Sequence, residues 1–156
     1  MPAGERVVLD THVWKMYVDG EGLDAKTVRR IDAAGASGHL YVAAVTVWEL
    51  AMLAARPPRP PAAHASSRRT GARERRKLTL NAPTLAWITE AVHASRVVVY
   101  PLDPAIAVDS AELPAFHGDP ADRMIVATAR HLGAVLVTRD AKILDYALTT
   151  KSVRVL

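Results

Sequence analysis

At 156 residues, half of them hydrophobic, the chain is long enough to bury one core and too apolar to stay disordered. It contains no cysteine, which excludes a disulfide framework and thiolate zinc centres and suits a reducing cytoplasm. The N-terminus shows no basic-then-apolar leader, and no uncharged run nears the roughly 20 residues that would span a membrane. The net charge is +4, but it is unevenly spread. Between Arg56 and Lys77 eight basic residues face Glu74 alone, so the remainder of the chain is net acidic. Such a segment either attracts a phosphate-rich partner or forms a solvated loop.

In chain order, Val7 to Asp10 is predicted as a buried strand, after which the chain turns towards a helix. Asp24 to Ser37 is predicted as a helix, Leu40 to Val45 as a strand, and Thr46 to Ala55 as a helix with Thr46 as its N-cap. In Arg56 to Lys77 the run Pro57-Pro58-Arg59-Pro60-Pro61 forbids helix, and the segment is expected to be an insertion or mobile loop. Pro83 to Ser95 is a predicted helix, Val97 to Tyr100 a strand and Pro104 to Leu113 a helix. Pro120 to Leu132 has the clearest helical period and stops at Gly133. Ala134 to Thr138 follows as a strand, Ala141 to Leu148 as a helix and Val153 to Leu156 as an edge strand. This alternation implies a single α/β domain over 1–156, with a mainly parallel sheet covered by helices on both faces.

Against that frame the acidic residues stand out. Asp10 closes one apolar strand, and Asp140 follows another, Val135-Leu136-Val137. Glu49 is the only charged residue from Tyr41 to Ala55, and Asp122 shares a helical face with Ile125, Val126 and Ala129. An unpaired carboxylate in such surroundings costs several kcal/mol or takes up a proton. Four of them point to one shared compensator, and a divalent metal between strand ends fits best. In open α/β sheets the functional crevice lies beyond the carboxyl ends of the strands, where Asp10 and Asp140 both sit.

Most of these acids also have a plainer role. Asp10, Asp119 and Asp140 are all placed to cap helices, and Pro120 suits the first helical position after Asp119. Glu49 is expected in the first turn of its helix, where the dipole favours it by less than about 1 kcal/mol. Thr11 is placed to lend a hydroxyl or N–H to the same site, and Thr138 shares a side of its strand with Asp140. The six histidines show no metal-ligand spacing. Trp14, Trp48 and Trp87 are expected in the core or at a partner interface, and Arg123 as a brace for neighbouring carboxylates.

Taken together these segments resemble the PIN-domain ribonucleases of the VapC toxin type. The resemblance rests on Leu9-Asp10-Thr11-His12-Val13-Trp14, on Trp48-Glu49-Leu50-Ala51 and on His117-Gly118-Asp119-Pro120-Ala121-Asp122-Arg123. It continues through Ile125-Val126-Ala127-Thr128-Ala129 and Val137-Thr138-Arg139-Asp140, in the family's order and nearly end to end. Lys77-Leu78-Thr79-Leu80 is similar to a short segment that such toxins place after the helix of the second acid. The Arg/Pro-rich stretch from Arg56 to Arg76 is longer than the family usually carries there.

The resemblance implies a PIN-like doubly wound sheet and a Mg²⁺- or Mn²⁺-dependent endoribonuclease that leaves a 5′-phosphate. Asp10, Glu49, Asp122 and Asp140 become the catalytic and metal-binding acids, with Asp119, Thr11 and Thr138 auxiliary. Hard carboxylate oxygens suit these cations, and the chemistry needs no protein nucleophile. Arg68, Arg69, Arg73, Arg75 and Arg76 are the expected RNA contacts. The implied partners are RNA, a VapB-type antitoxin and a second copy of the chain, in the cytoplasm and away from membranes. Two other readings compete. A catalytically silent PIN-like binding module would be expected to lack one of the four acids, and all four are present. A phospho-acceptor receiver domain would need an acidic pair after the first strand, where Asp10 stands alone.

Overall fold

A computed structural model describes residues 4–55, 80–116 and 118–156. The expected insertion at 56–77 and its arginines therefore lie outside the described residues. The elements are β1 (Val7–Leu9), α1 (Thr11–Asp19), α2 (Ala25–Ala36), β2 (Leu40–Ala43), α3 (Ala44–Ala54) and α4 (Thr84–Ser95). Next come β3 (Val98–Tyr100), α5 (Pro104–Glu112), α6 (Pro120–His131), β4 (Val135–Val137), α7 (Ala141–Thr150) and β5 (Arg154–Val155).

The strands form one sheet in the order β3-β2-β1-β4-β5, with every pairing parallel. Alternation along each strand sends side chains to two separate cores. Val7, Leu9, Leu40, Val42 and Val137 face one layer, where they meet Trp14, Ile31, Leu50, Trp87 and Ile88. Val8, Ala43 and Leu136 face the other, against Ile125, Val126, Ile143 and Tyr146. Helices α1, α2 and α4 thus cover one face, and α6 and α7 the other. Helix α5 packs outside α6. Among the described residues no helix is long and apolar enough to cross a membrane.

The topology fixes where a crevice must open. From β1 the chain leaves through α1 towards β2 on one side, whereas from β4 it leaves through α7 towards β5 on the other. Adjacent strands whose connections part in this way form the switch point at which open α/β sheets bind ligands. Leu9 pairs with both Val42 and Val137, so Asp10 emerges level with Thr138.

The helix expected after Asp10 is α1, which runs nine residues until Gly20 closes it in the left-handed conformation, φ 71°. Two expectations about α3 need correction. Helix α3 begins at Ala44, two residues before the expected cap. Thr46 is therefore inside the helix and fully buried, and the cap position belongs to Ala43, which makes no side-chain capping bond. Glu49 consequently lies beyond the first turn, so the dipole does not explain its placement. The tryptophans divide: Trp14 and Trp87 are core, stacked edge-on at 6.2 Å, whereas Trp48 is 57% exposed.

Candidate metal-binding acidic site

Asp10 is the most buried of the acids, at 4% exposure. It occupies the N-cap position of α1 but its side chain makes no capping bond, so the capping role does not account for it. Instead its Oδ2 accepts a 2.8 Å hydrogen bond from the buried Thr138 hydroxyl, across the gap between β1 and β4. The same Thr138 oxygen accepts the Asp140 N–H at 3.0 Å. One hydroxyl thereby spaces the two strand-end acids. Asp140 itself caps α7: its Oδ1 accepts from Lys142 N at 2.8 Å and from Ile143 N at 3.4 Å. Its capping role is real.

From the opposite side Glu49 projects from α3 and accepts a 2.6 Å bond from the Thr11 hydroxyl at its Oε2. Thr11 Oγ1 also lies 3.4 Å from Thr46 Oγ1. Thr46, whose chemistry suits a cap, is instead part of this neighbourhood from inside α3. Its spacing of three from Glu49 on one helix was the available signal. Asp119 caps α6 as expected, accepting from Ala121 N at 3.0 Å. Asp122 lies in the first turn of that helix, above the buried stripe of Ile125, Val126 and Ala129.

These carboxylates influence one another electrostatically. Asp122 is pushed up to about 7, first by burial and then by the charges of Asp119, Asp10, Asp140 and Glu49. The charges of all four other acids act on it. Burial likewise raises the Asp10 carboxyl; the Thr138 hydrogen bond and the nearby His12 pull it down, and Glu49 adds to the rise. His12, exposed in the first turn of α1, is thus a neighbour of the site that spacing alone did not mark.

The donor set suits a hard divalent cation: oxygen ligands, an excess of negative charge and partial burial. Among the described residues no three acidic or histidine side chains stand close enough together to hold a metal ion between them. Mg²⁺ does not need three such side chains, since it is commonly held by one or two carboxylates with water and phosphate completing its shell. The residues therefore fit the group. The arginines expected to contact RNA (Arg68, Arg69, Arg73, Arg75 and Arg76) fall outside the described residues.

Comparison with known proteins agrees with this geometry. The PIN domain family model matches residues 7–148. Ribonuclease VapC22 of Mycobacterium tuberculosis (strain ATCC 25618 / H37Rv) is 32% identical over 139 residues, covering 88% of each chain. Among solved structures, FitAcB from Neisseria gonorrhoeae superposes with a TM-score of 0.57 at 21% identity, over 96% of both chains. The structure of FitAB bound to an IR36 DNA fragment gives 0.56 at 20% identity, over 96% of this chain and 93% of that one. At that identity the two solved structures speak for the fold alone. With the family model spanning every element from β1 to α7 and a relative of this similarity nearly end to end, the chain belongs to the PIN-domain family, among its VapC-type members.

Proposed function

We propose that this protein is a Mg²⁺- or Mn²⁺-dependent endoribonuclease that hydrolyses RNA phosphodiester bonds as the toxin of a VapBC-type module. The observation that carries the reading is the cluster of carboxylates at the switch point, each raising the pKa of Asp122. Kinship with a VapC ribonuclease supports the substrate class. When bound, the cation supplies positive charge against the scissile phosphate and makes water acidic enough to attack it.

The chain's own residues divide the remaining work. Asp10, Glu49 and Asp122 would hold the cation through hard oxygens. Asp140, held in place by the α7 cap, would orient the attacking water. Thr138 fixes the separation of Asp10 and Asp140, and Thr11 fixes the Glu49 rotamer. Asp119 acts one step back, by setting the start of α6. The arginine-rich segment draws in the RNA backbone, with a strength that falls as salt rises.

An antitoxin partner is part of the same reading. Trp48 and Met52 share one face of α3 and are 57% and 48% exposed, and Leu85 on the neighbouring α4 is 78% exposed. Large apolar side chains grouped beside an acidic site favour a partner protein. Assembly as a homodimer in the cytoplasm completes the proposal.

The decisive experiment incubates the purified chain with single-stranded RNA in Mg²⁺, in Mn²⁺ and in EDTA, and maps the product ends. Cleavage that needs the cation and leaves 5′-phosphates is expected. Undiminished cleavage in EDTA would refute the metal-dependent reading.

A further inference from the structure

The acids at the mouth of the crevice sit on helix ends, and something must hold those ends in place. Arg123, immediately after Asp122, does so in an unusual manner for a surface-helix arginine. Its Nε donates to Ser110 O at 2.7 Å, and its Nη2 to Ala111 O at 2.9 Å and Leu113 O at 3.1 Å. Its Nη1 donates to Phe116 O at 3.1 Å. Ser110 and Ala111 belong to the last turn of α5, whose carbonyls lose their helical partners where Leu113 departs to ψ 113°. A guanidinium there satisfies orphan acceptors and meets the negative end of the α5 dipole. Leu113 and Phe116 belong to the connection that delivers Asp119 to its cap.

A second contact extends the brace. The Arg123 guanidinium lies 6.0 Å over the Phe116 ring, and that ring meets Tyr146 edge-on at 4.6 Å. Phe116 and Tyr146 are 9% and 5% exposed. The Tyr146 hydroxyl is buried with no hydrogen-bond partner among the described residues, so packing rather than a polar contact holds this ring in place. Tyr146 lies on α7, the helix that Asp140 caps. The column Arg123–Phe116–Tyr146 therefore links the α5–α6 connection to both helices whose N-termini carry acids.

We propose that Arg123 is a positioning residue for the acidic site, acting through the α5–α6 connection and the Phe116–Tyr146 contact to set Asp119, Asp122 and Asp140 relative to Asp10. This inference rests on the metal-dependent reading above and adds to it the element that spaces the ligands. The role requires a fork. Lysine presents one compact ammonium and does not reproduce four bonds to carbonyls arrayed around a plane. Shifts of about 1 Å in a ligand-bearing helix are enough to depress catalysis strongly.

The test compares Arg123→Lys and Phe116→Leu with Arg130→Gln, all in the full chain. Arg130 also ties α6 to α5, through Asp109 at 3.2 Å, but near the far end of the helix. Two quantities are read: Mn²⁺ affinity by calorimetry, and hydrogen exchange at the Ala121 amide, which reports the Asp119 cap without any metal. With helical content unchanged, Arg123→Lys should weaken Mn²⁺ binding by about tenfold or more. It should also speed Ala121 exchange and lower kcat for RNA cleavage more than it raises KM. Phe116→Leu should follow in the same direction, and it decides the matter if Arg123→Lys does not fold. Arg130→Gln should leave Mn²⁺ affinity and Ala121 exchange unchanged. Wild-type values in both Arg123→Lys and Phe116→Leu, or equal losses in Arg130→Gln, would overturn the proposal. If the wild-type chain takes up no Mn²⁺, the metal reading fails by itself and Ala121 exchange still decides the brace.

Discussion

The two ends of the sheet treat charge in opposite ways. At the amino end, Glu5 receives Arg30 Nε at 2.8 Å and lies 3.9 Å from Arg154 Nη1. Arg6 Nη1 and Arg154 Nη2 close the carbonyls of Leu132 and Gly133. Glu5 there meets two arginines within reach of solvent. At the carboxyl end, Asp10 is buried and held by a neutral hydroxyl, Glu49 is held by another, and the neighbouring acids push Asp122 up to about 7. A fold optimised only for stability would not gather like charges against an apolar layer. The two ends thus differ in kind: arginine–carboxylate pairs near solvent at the one, and carboxylates held by neutral hydroxyls beside an apolar layer at the other.

The sharpest way to break that contrast is to remove the most buried acid. Asp10→Asn keeps an oxygen for the Thr138 hydroxyl but loses the charge. Cation-dependent RNA cleavage should fall by more than the 10–100-fold typical of outer-sphere changes. Thermal stability without metal should stay level or rise, because a desolvated carboxylate has been relieved of its charge. Cleavage assays beside melting curves check both, and retained activity would sink the assignment. Thr138→Val comes next. It leaves Asp10 and the Asp140 N–H without their shared hydroxyl, at a cost of about 1–3 kcal/mol in stability. Activity should drop about tenfold, and Thr138→Ser should restore most of both.

Protons and cations should compete for the same carboxylates. Asp122 titrates near 7 in the folded chain against an ordinary 3.8, so the folded state holds a proton that the unfolded state has released. Its stabilising contribution is complete below about pH 4 and is lost as pH rises to about 7. Burial raises Asp10 in the same sense. In EDTA the melting temperature should therefore decline across this window, and the decline should flatten in Asp122→Asn. Added Mn²⁺ should raise the melting temperature by a few degrees, more at pH 8 than at pH 6, because the cation then displaces no proton. Calorimetry showing an equal shift at both values would deny that Asp122 takes part.

Much of this arrangement was legible in the chain because buried strands and capped helices leave strong local signals. The strand runs ending at Leu9 and Val137, and the Asp119-Pro120 start of α6, fix the position of three acids within a residue or two. What misled was α3. Thr46 has the chemistry of a cap, yet β2 hands over to the helix at Ala44, where the apolar run offers no boundary. Tertiary packing set that start, and it carried Thr46 and Glu49 together onto the face that meets Thr11. The reach of Arg123 was also hidden, since its acceptors are main-chain carbonyls and carry no side-chain signature.

The smallest predicted effect sits at the balanced end and serves as the reference for all the others. Glu5→Gln breaks the contacts with Arg30 and Arg154, whose side chains are 33% and 64% exposed. Pairs of this exposure contribute about 0–1 kcal/mol, and salt screens them further. Melting should therefore move by little, and by less at high salt, while Mn²⁺ affinity and RNA cleavage remain at wild-type values. The loss of one negative charge is the same in Glu5→Gln as in Asp10→Asn. A large fall in cleavage for both would mean that net charge, through attraction or repulsion of RNA, governs activity. A fall for Asp10→Asn alone means that position at the switch point governs it.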